Sequence, residues 1–147
     1  MTVVRIVVGV DGSEESQHAL RWAIDEARTR DGVVVEVVHA WTFPEPCRRA
    51  TFNLPRSLAE QDAASVVGRS VRRARAETNL DVPIDANLVE GEPVAALLAR
   101  AVGAELVVVG HTRRSRVGRW LHRRSVAREV ADRAPCPVTV VTSGDGR

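Results

Sequence analysis

Apolar positions follow two different periods along the chain, and the two periods alternate. Stretches rich in β-branched residues begin at Val3, Val33, Leu106 and Val138, which is typical of parallel strands buried on both faces. Between them, apolar residues recur every three to four positions, as on one face of a helix. The pattern predicts strands at residues 3–10, 33–40, 84–89, 106–109 and 138–141, and helices at about 14–30, 58–78, 93–102 and 125–134.

The strand at residues 84–89 differs from the others because the polar residues Asp85 and Asn87 stand between its apolar ones. This alternation predicts a strand at an edge of the sheet. Strands joined by helices form crossover units, so we expect an α/β fold with an open five-stranded parallel sheet and helices on both faces. Ligands bind such sheets where strands end and helices begin, which indicates the loop between Gly110 and Ser125.

Length and composition fit one soluble domain over residues 1–147. The chain is 44% hydrophobic and 27% charged, with a formal net charge of +2, which excludes disordered and fibrous classes. No apolar run approaches the ~20 residues that span a bilayer, and the N-terminus has no secretory pattern, so we expect a cytoplasmic protein with no membrane partner. Cys47 and Cys136 lack metal-ligand spacing, and Cys136 is expected to be a small buried residue.

All 21 positively charged residues are arginine. The absence of lysine excludes P-loop nucleotide hydrolases and Schiff-base catalysis, which both need one. It also argues against a phosphoacceptor receiver domain, whose pattern includes a lysine near the last strand. The four histidines show no metal spacing and no serine or cysteine partner that the sequence identifies, so catalysis has little support.

Residues 41–57 interrupt the strand and helix pattern with three prolines, and they hold Trp41, Phe43 and Phe52, three of the five aromatic residues. A connection of this length is typical of a lid, a partner surface or a mobile segment. The rings are interpreted as a cover for the sheet edge, with stacking on a base as the alternative. The segment is predicted to be the most mobile part of the protein, cut first by proteases after Arg48 or Arg49.

Four short motifs, in this order, resemble the universal stress protein family. They are VGVDGS at residues 8–13, GEP at 91–93, LVVVG at 106–110 and APCPV at 134–138. Each motif is weak alone, but together they span the chain. The resemblance implies an adenine nucleotide alpha hydrolase-like sheet with strand order 3-2-1-4-5. It also implies a homodimer formed through the last strand, from Val138 to Val141, whose open edge would otherwise expose unpaired backbone groups.

In the ATP-binding members of that family, an aspartate after the first strand and backbone groups at the end of the second hold adenosine. The resemblance implies that Val10, Asp11 and Ala40 have this role here, with Val109 and Gly110 where the fourth strand ends. A carboxylate at a strand end can accept hydrogen bonds from a ribose. The alternative stays open that Asp11 only shapes the turn that follows it.

The phosphate loop of those members has the pattern G-x-x-G, nine residues, then G-[ST]. Gly110 matches the first glycine, and Ser125 and Val126 fall where a serine and a valine are expected. Arg113 and Arg124 replace the other two glycines, in a loop one residue longer than usual. Glycine lets backbone N–H groups approach phosphate, so the arginines either block the site or clamp phosphate with their guanidinium groups. The resemblance therefore implies a degenerate site for ATP or another adenine nucleotide.

Seven arginines lie between residues 113 and 128. Most are interpreted as a solvated basic face, with a role in phosphate binding favoured only for Arg113 and Arg124. Trp120 is the single aromatic residue among them, too few for a stacking surface, and the overall charge is nearly balanced, which argues against nucleic acid as a partner. Three functions stay open: a stress-response module with weak or no ATP binding, a dimeric interaction module that binds a protein partner and no nucleotide, and a weak ATP hydrolase.

Overall fold

The structure is a computed structural model that describes residues 3–42, 56–111 and 125–142. All the predicted strands and helices lie within these ranges. Arg48 and Arg49, with most of the predicted mobile segment, and Arg113 and Arg124 lie outside them. The elements are β1 (Val4–Gly9), α1 (Glu14–Arg28), β2 (Val33–Trp41), α2 (Arg56–Thr78), β3 (Ile84–Glu90), α3 (Pro93–Ala101), β4 (Leu106–His111), α4 (Val126–Arg133) and β5 (Val138–Thr142).

The five strands form one parallel sheet in the order β3-β2-β1-β4-β5. This order confirms the expected topology. It also confirms β3 as an edge strand, whose residues vary between exposed and partly buried. The chain runs outward in opposite directions from β1, first to β2 and later to β4, so the carboxyl ends of β1 and β4 meet at the point where the strand order reverses.

Two apolar cores lie on opposite faces of the sheet. On one face, the fully buried Ile6 of β1 and Leu20 of α1 belong to a core that includes residues of α2. On the other face, Val7 of β1 and Val107 of β4 pack with residues of α3 and α4. Each fully buried side chain of this size contributes about 1.5–3 kcal/mol to folding. No helix within the described ranges combines the length and apolar composition needed to cross a bilayer.

Helix α1 begins where the sequence predicts, because Ser13 caps it. The Ser13 hydroxyl accepts the backbone N–H of Ser16 at 3.2 Å, which satisfies one of the free donors of the first turn. The helix ends at Arg28, two residues before the predicted end. There the Thr29 hydroxyl donates to the Glu26 carbonyl at 2.7 Å. A side chain thus satisfies a carbonyl of the last turn, at the point where the helical hydrogen bonds end.

The elements around the predicted phosphate loop differ from expectation by one or two residues at their ends. Strand β4 continues past Gly110 to His111, because β5 extends to Thr142 and pairs with it. Ser125 is the N-cap of α4, and Val126 is the first helical residue. The carboxyl end of β4 and the start of α4 therefore face the same edge of the sheet.

Among the described residues, Glu36 of β2 is the one charged residue that is almost fully buried, at 3% exposure. Its Oε2 accepts a hydrogen bond from Arg5 Nη1 at 2.6 Å, and Arg100 Nη1 lies 3.3 Å from its Oε1. Arg5 also donates to the backbone carbonyls of Arg100 at 3.3 Å and Val102 at 2.9 Å. The cluster ties β1, β2 and the end of α3 together.

Candidate functional site

A cavity of about 110 Å³ opens at the carboxyl ends of β1, β2 and β4. Its wall is mainly apolar, and Asp11 is the only charged residue that lines it among residues 3–42, 56–111 and 125–142. Six of the residues predicted from the sequence line this cavity together: Val10, Asp11, Ala40, Val109, Gly110 and Val126. The other lining residues are Gly9, Ser13, Ser16, Val38, Pro93 and Leu97.

Gly110 brings β4 against the first turn of α1. A Cβ placed on it would lie against the backbone carbonyl of Glu15 and 2.9 Å from the backbone nitrogen of Ser16. Only a residue without a side chain permits so close an approach. The sequence interpretation connected this glycine with phosphate, and the packing of α1 gives a second reason for it that needs no ligand.

Asp11 is exposed at the mouth of the cavity. Its Oδ1 accepts the backbone N–H of Ser13 at 2.9 Å, and its own N–H donates to the hydroxyl of Ser16 at 3.3 Å. Asp11 therefore shapes the turn into α1, as one of the two sequence interpretations holds. The hydrogen bonds to the described residues use only Oδ1 of the carboxylate, which leaves Oδ2 for a ligand, as the other interpretation requires.

Strand β1 leaves the sheet before β2 does. The last backbone hydrogen bond between them runs from the Val10 N–H to the Val38 carbonyl at 2.9 Å. Ala40 lies two residues further along β2, so its N–H and C=O point to the same side, past the end of β1. Within the described part of the chain, no backbone group pairs with Ala40 on that side, and Ala40 lines the cavity.

The Val10 carbonyl, which would accept the Ala40 N–H in a continued ladder, instead lies 2.7 Å from Nδ1 of His39. Both backbone groups of Val10 are thus used inside the protein. The Val10 N–H is therefore not free for a ligand in the cavity and its carbonyl keeps one lone pair, whereas Ala40 offers a peptide donor and a peptide acceptor.

Ser125 lies beside a second groove of about 760 Å³, which α4 and β5 line together. Its hydroxyl is 3.1 Å from His111 Nδ1 and accepts the backbone N–H of Arg128 at 3.4 Å. A hydroxyl that accepts from the helix can still donate its proton to Nδ1. The next residue, Val126, lines the first cavity, so the cavity and the groove meet at the start of α4.

Several residues that form the site escaped the sequence interpretation. Val38, Pro93 and Leu97 line the cavity, although the sequence placed them only on a strand and a helix. The strand order would have indicated Val38, because it lies on the same side of β2 as Ala40. The contact between Ser125 and His111 joins positions 14 residues apart, and only the folded loop ends bring them together.

Comparison with known proteins gives the family and the fold. The family model described as "Universal stress protein family" matches residues 3–142. The chain belongs to the universal stress protein family. Two universal stress proteins of Mycobacterium tuberculosis are each 33% identical to it, over 141 and 146 residues. The matches cover 92% and 95% of this chain but 47% and 48% of those proteins, so the chain spans about half the length of the curated relatives.

Solved structures of the family share the fold. The universal stress protein from Archaeoglobus fulgidus in complex with dAMP is 28% identical, with a TM-score of 0.67 over 96% of this chain and 99% of that one. A universal stress protein in complex with cAMP is 24% identical, with a TM-score of 0.68 over 94% of this chain and 96% of that one. These similarities confirm the adenine nucleotide alpha hydrolase-like fold.

Proposed function

We propose that the chain is a stress-response regulatory module whose cavity at the ends of β1, β2 and β4 binds an adenine nucleotide, with ATP bound weakly or not at all. The observation that carries this proposal is the peptide edge of Ala40, which pairs with no backbone group of the described residues on the β1 side and faces an apolar cavity. Buried N–H and C=O groups need partners. A ligand with a matching donor and acceptor would supply them.

Adenine has that pattern, because a ring nitrogen that accepts stands next to an amino group that donates. The apolar side chains of Val38 and Leu97 suit the faces of the base. Asp11 Oδ2 is available to accept from ribose hydroxyls at the mouth. The dAMP complex of the Archaeoglobus fulgidus protein, which is 28% identical over nearly the whole chain, supports the choice of an adenine nucleotide.

The phosphate end is where this chain departs from the family pattern. Arg113 and Arg124 stand in place of two loop glycines, so backbone N–H groups lose the close approach that glycine allows. Separate parts of the protein would bind adenosine and phosphate. In this chain, only the residues expected to bind phosphate depart from the family pattern. We therefore expect AMP or cyclic AMP to bind at least as tightly as ATP.

Calorimetric titration of the purified protein with AMP, cyclic AMP and ATP tests the adenosine site. Asp11→Ala removes the carboxylate and should weaken AMP binding by about tenfold to a hundredfold, the range for a hydrogen bond to a charged group. Asp11→Asn keeps an oxygen for the Ser13 N–H, so it separates loss of charge from loss of the turn. Asp25→Ala, on an exposed position of α1, is the matched charge control. Failure of all three nucleotides to bind at millimolar concentration would show that the proposal is wrong.

The role of the arginines is decided by a double variant, Arg113→Gly with Arg124→Gly. If the arginines block the loop, this variant should bind ATP more tightly than the parent, because backbone amides can again reach phosphate. If they clamp phosphate, it should bind ATP less tightly, because two guanidinium groups are gone. AMP is the internal control. Tight ATP binding by the parent, lost in the double variant, contradicts the proposed weak site.

A second function, a dimeric interaction module, rests on the edge of β5. This strand has the sequence VTVVT and carries no charge, and Val140 is 39% exposed. The opposite edge, β3, contains two acidic residues, which discourage pairing with another strand. Pairing of two copies through Val138 to Val141 would satisfy the free backbone groups of β5 and form a symmetric homodimer.

Sedimentation at micromolar concentration tests the homodimer. Val140→Lys should give a monomer, because it places a charge in the interface. Leu88→Lys is the matched control, since Leu88 is 41% exposed on the other edge strand, and it should leave the dimer intact. A monomeric parent protein, or equal effects of the two substitutions, would rule out assembly through β5.

A further inference from the structure

The contact between His39 and the end of β1 has a consequence for the proposed adenine site. His39 Nδ1 lies 2.7 Å from the Val10 carbonyl, and both residues are at least partly buried. A carbonyl oxygen can only accept, so Nδ1 must carry the proton, which fixes the tautomer of the neutral ring. His39 is thus a donor held against Val10, the residue directly after β1 whose N–H still bonds to β2.

A parallel ladder that continued one step further would join the Ala40 N–H to the same carbonyl. Val10 is 3% exposed, so its carbonyl needs a partner inside the protein. The described residues contain no Ala40-to-Val10 backbone bond. The His39 side chain supplies the hydrogen-bond donor that the Val10 carbonyl needs, in place of the Ala40 N–H. The chain can then turn away from β2 towards Asp11.

We propose that His39 is a positioning residue that ends the β1–β2 ladder at Val10 and so keeps the Ala40 peptide groups open to the cavity. This inference rests on the proposed function for its effect on nucleotide affinity. Its effect on the Ala40 amide does not depend on any ligand. His39 acts through the backbone of Val10 and makes no contact with the ligand itself.

Two substitutions separate this role from simple packing. His39→Asn retains an N–H donor at the position of Nδ1 and should keep the Val10 contact. His39→Leu has a similar bulk but no donor, so the Val10 carbonyl should recruit the Ala40 N–H and extend the ladder. His18→Gln, which changes an imidazole on α1 away from the cavity, is the matched control.

Backbone amide hydrogen exchange, followed residue by residue by NMR, is the first readout. In the ligand-free parent the Ala40 amide should exchange quickly for a strand residue. In His39→Leu its exchange should slow by about tenfold, as expected for one added backbone hydrogen bond. His39→Asn and His18→Gln should resemble the parent. A protected Ala40 amide in the ligand-free parent overturns the inference even if no variant folds.

Titration with AMP is the second readout. His39→Leu should bind AMP about tenfold more weakly, and His39→Asn should lie within about twofold of the parent. Equal AMP affinity in the parent and His39→Leu overturns the inference. A parent protein that binds no AMP refutes the proposed function instead, and Ala40 exchange then still decides the role of His39.

Assignment of the imidazole tautomer from nitrogen chemical shifts gives a check in the parent alone, since a neutral ring protonated only at Nε2 contradicts the proposed contact.

Discussion

Removal of Arg5 should cost the protein more stability than removal of its partner Glu36. Arg5→Met keeps most of the aliphatic stem and deletes the guanidinium, which leaves the Glu36 carboxylate 3% exposed. Its remaining cation is Arg100, whose Nη1 lies 3.3 Å away on a side chain that is 43% exposed. Breaking a buried pair so that one charge stays buried costs about 3–5 kcal/mol.

Glu36→Leu should cost less, although it removes the other half of the same pair. The Arg5 side chain is 28% exposed, and its guanidinium keeps the carbonyls of Val102 at 2.9 Å and Arg100 at 3.3 Å as acceptors. Its charge is therefore still solvated and hydrogen-bonded. The expected cost is about 1–2 kcal/mol, the range for one lost hydrogen bond to a charged group.

Urea unfolding of the parent, both single variants and the double variant measures these costs. With a slope of about 2 kcal/mol/M, the midpoint of Arg5→Met should fall by about 1.5–2.5 M and that of Glu36→Leu by less than about 1 M. The double variant has no Glu36 carboxylate left buried without Arg5. Its loss of stability should therefore be smaller than the sum of the two single losses by at least about 1 kcal/mol. Equal costs for the two single changes, or strict additivity, would refute the argument from unequal burial.

Three further outcomes follow from individual positions. Gly110→Ala should lower stability by about 1–3 kcal/mol in thermal unfolding, because its Cβ meets the α1 backbone. Gly9→Ala should cost less, since its Cβ meets only a leucine side chain at 3.0 Å. Gly68→Ala, inside α2 and facing only an arginine side chain, should raise stability by about 0.5–1 kcal/mol. Burial raises the pKa of the Cys136 thiol, so in a Cys47→Ser background its reaction with Ellman's reagent at pH 8 should be slower in the folded protein than in urea.

The strands and the edge position of β3 could be predicted because hydrophobic period and edge character are local properties, whereas the strand order was implied only by the family resemblance. Asp85 and Asn87 alternate with apolar residues, and β3 is indeed at the edge. Ser13 has the side chain and position of an N-cap, and it caps α1. Each of these features depends on a few neighbouring residues, so no knowledge of distant contacts was needed.

The contacts that open the cavity depend on distant residues and could not be predicted in the same way. The sequence showed that Glu36 and His39 are the polar members of β2, but not their partners. Glu36 pairs with Arg5, 31 residues away, and His39 contacts Val10, 29 residues away. Arg5 belongs to β1 and Val10 directly follows it, so both partners become predictable only once β1 and β2 are known to be neighbours with this register.

The two halves of the candidate site rest on different parts of the fold, which lets them change independently. The adenosine half consists of strand ends and a backbone edge at Ala40, and the register of the sheet holds these in place. The proposed phosphate half draws on the residues between Gly110 and Ser125, and Arg113 and Arg124 lie outside the described strands. We expect a substitution at Gly110 to displace α1, because its Cβ would meet the backbone of Glu15 and Ser16. The packing of Gly110 against α1 gives a reason to keep this glycine whether or not phosphate binds.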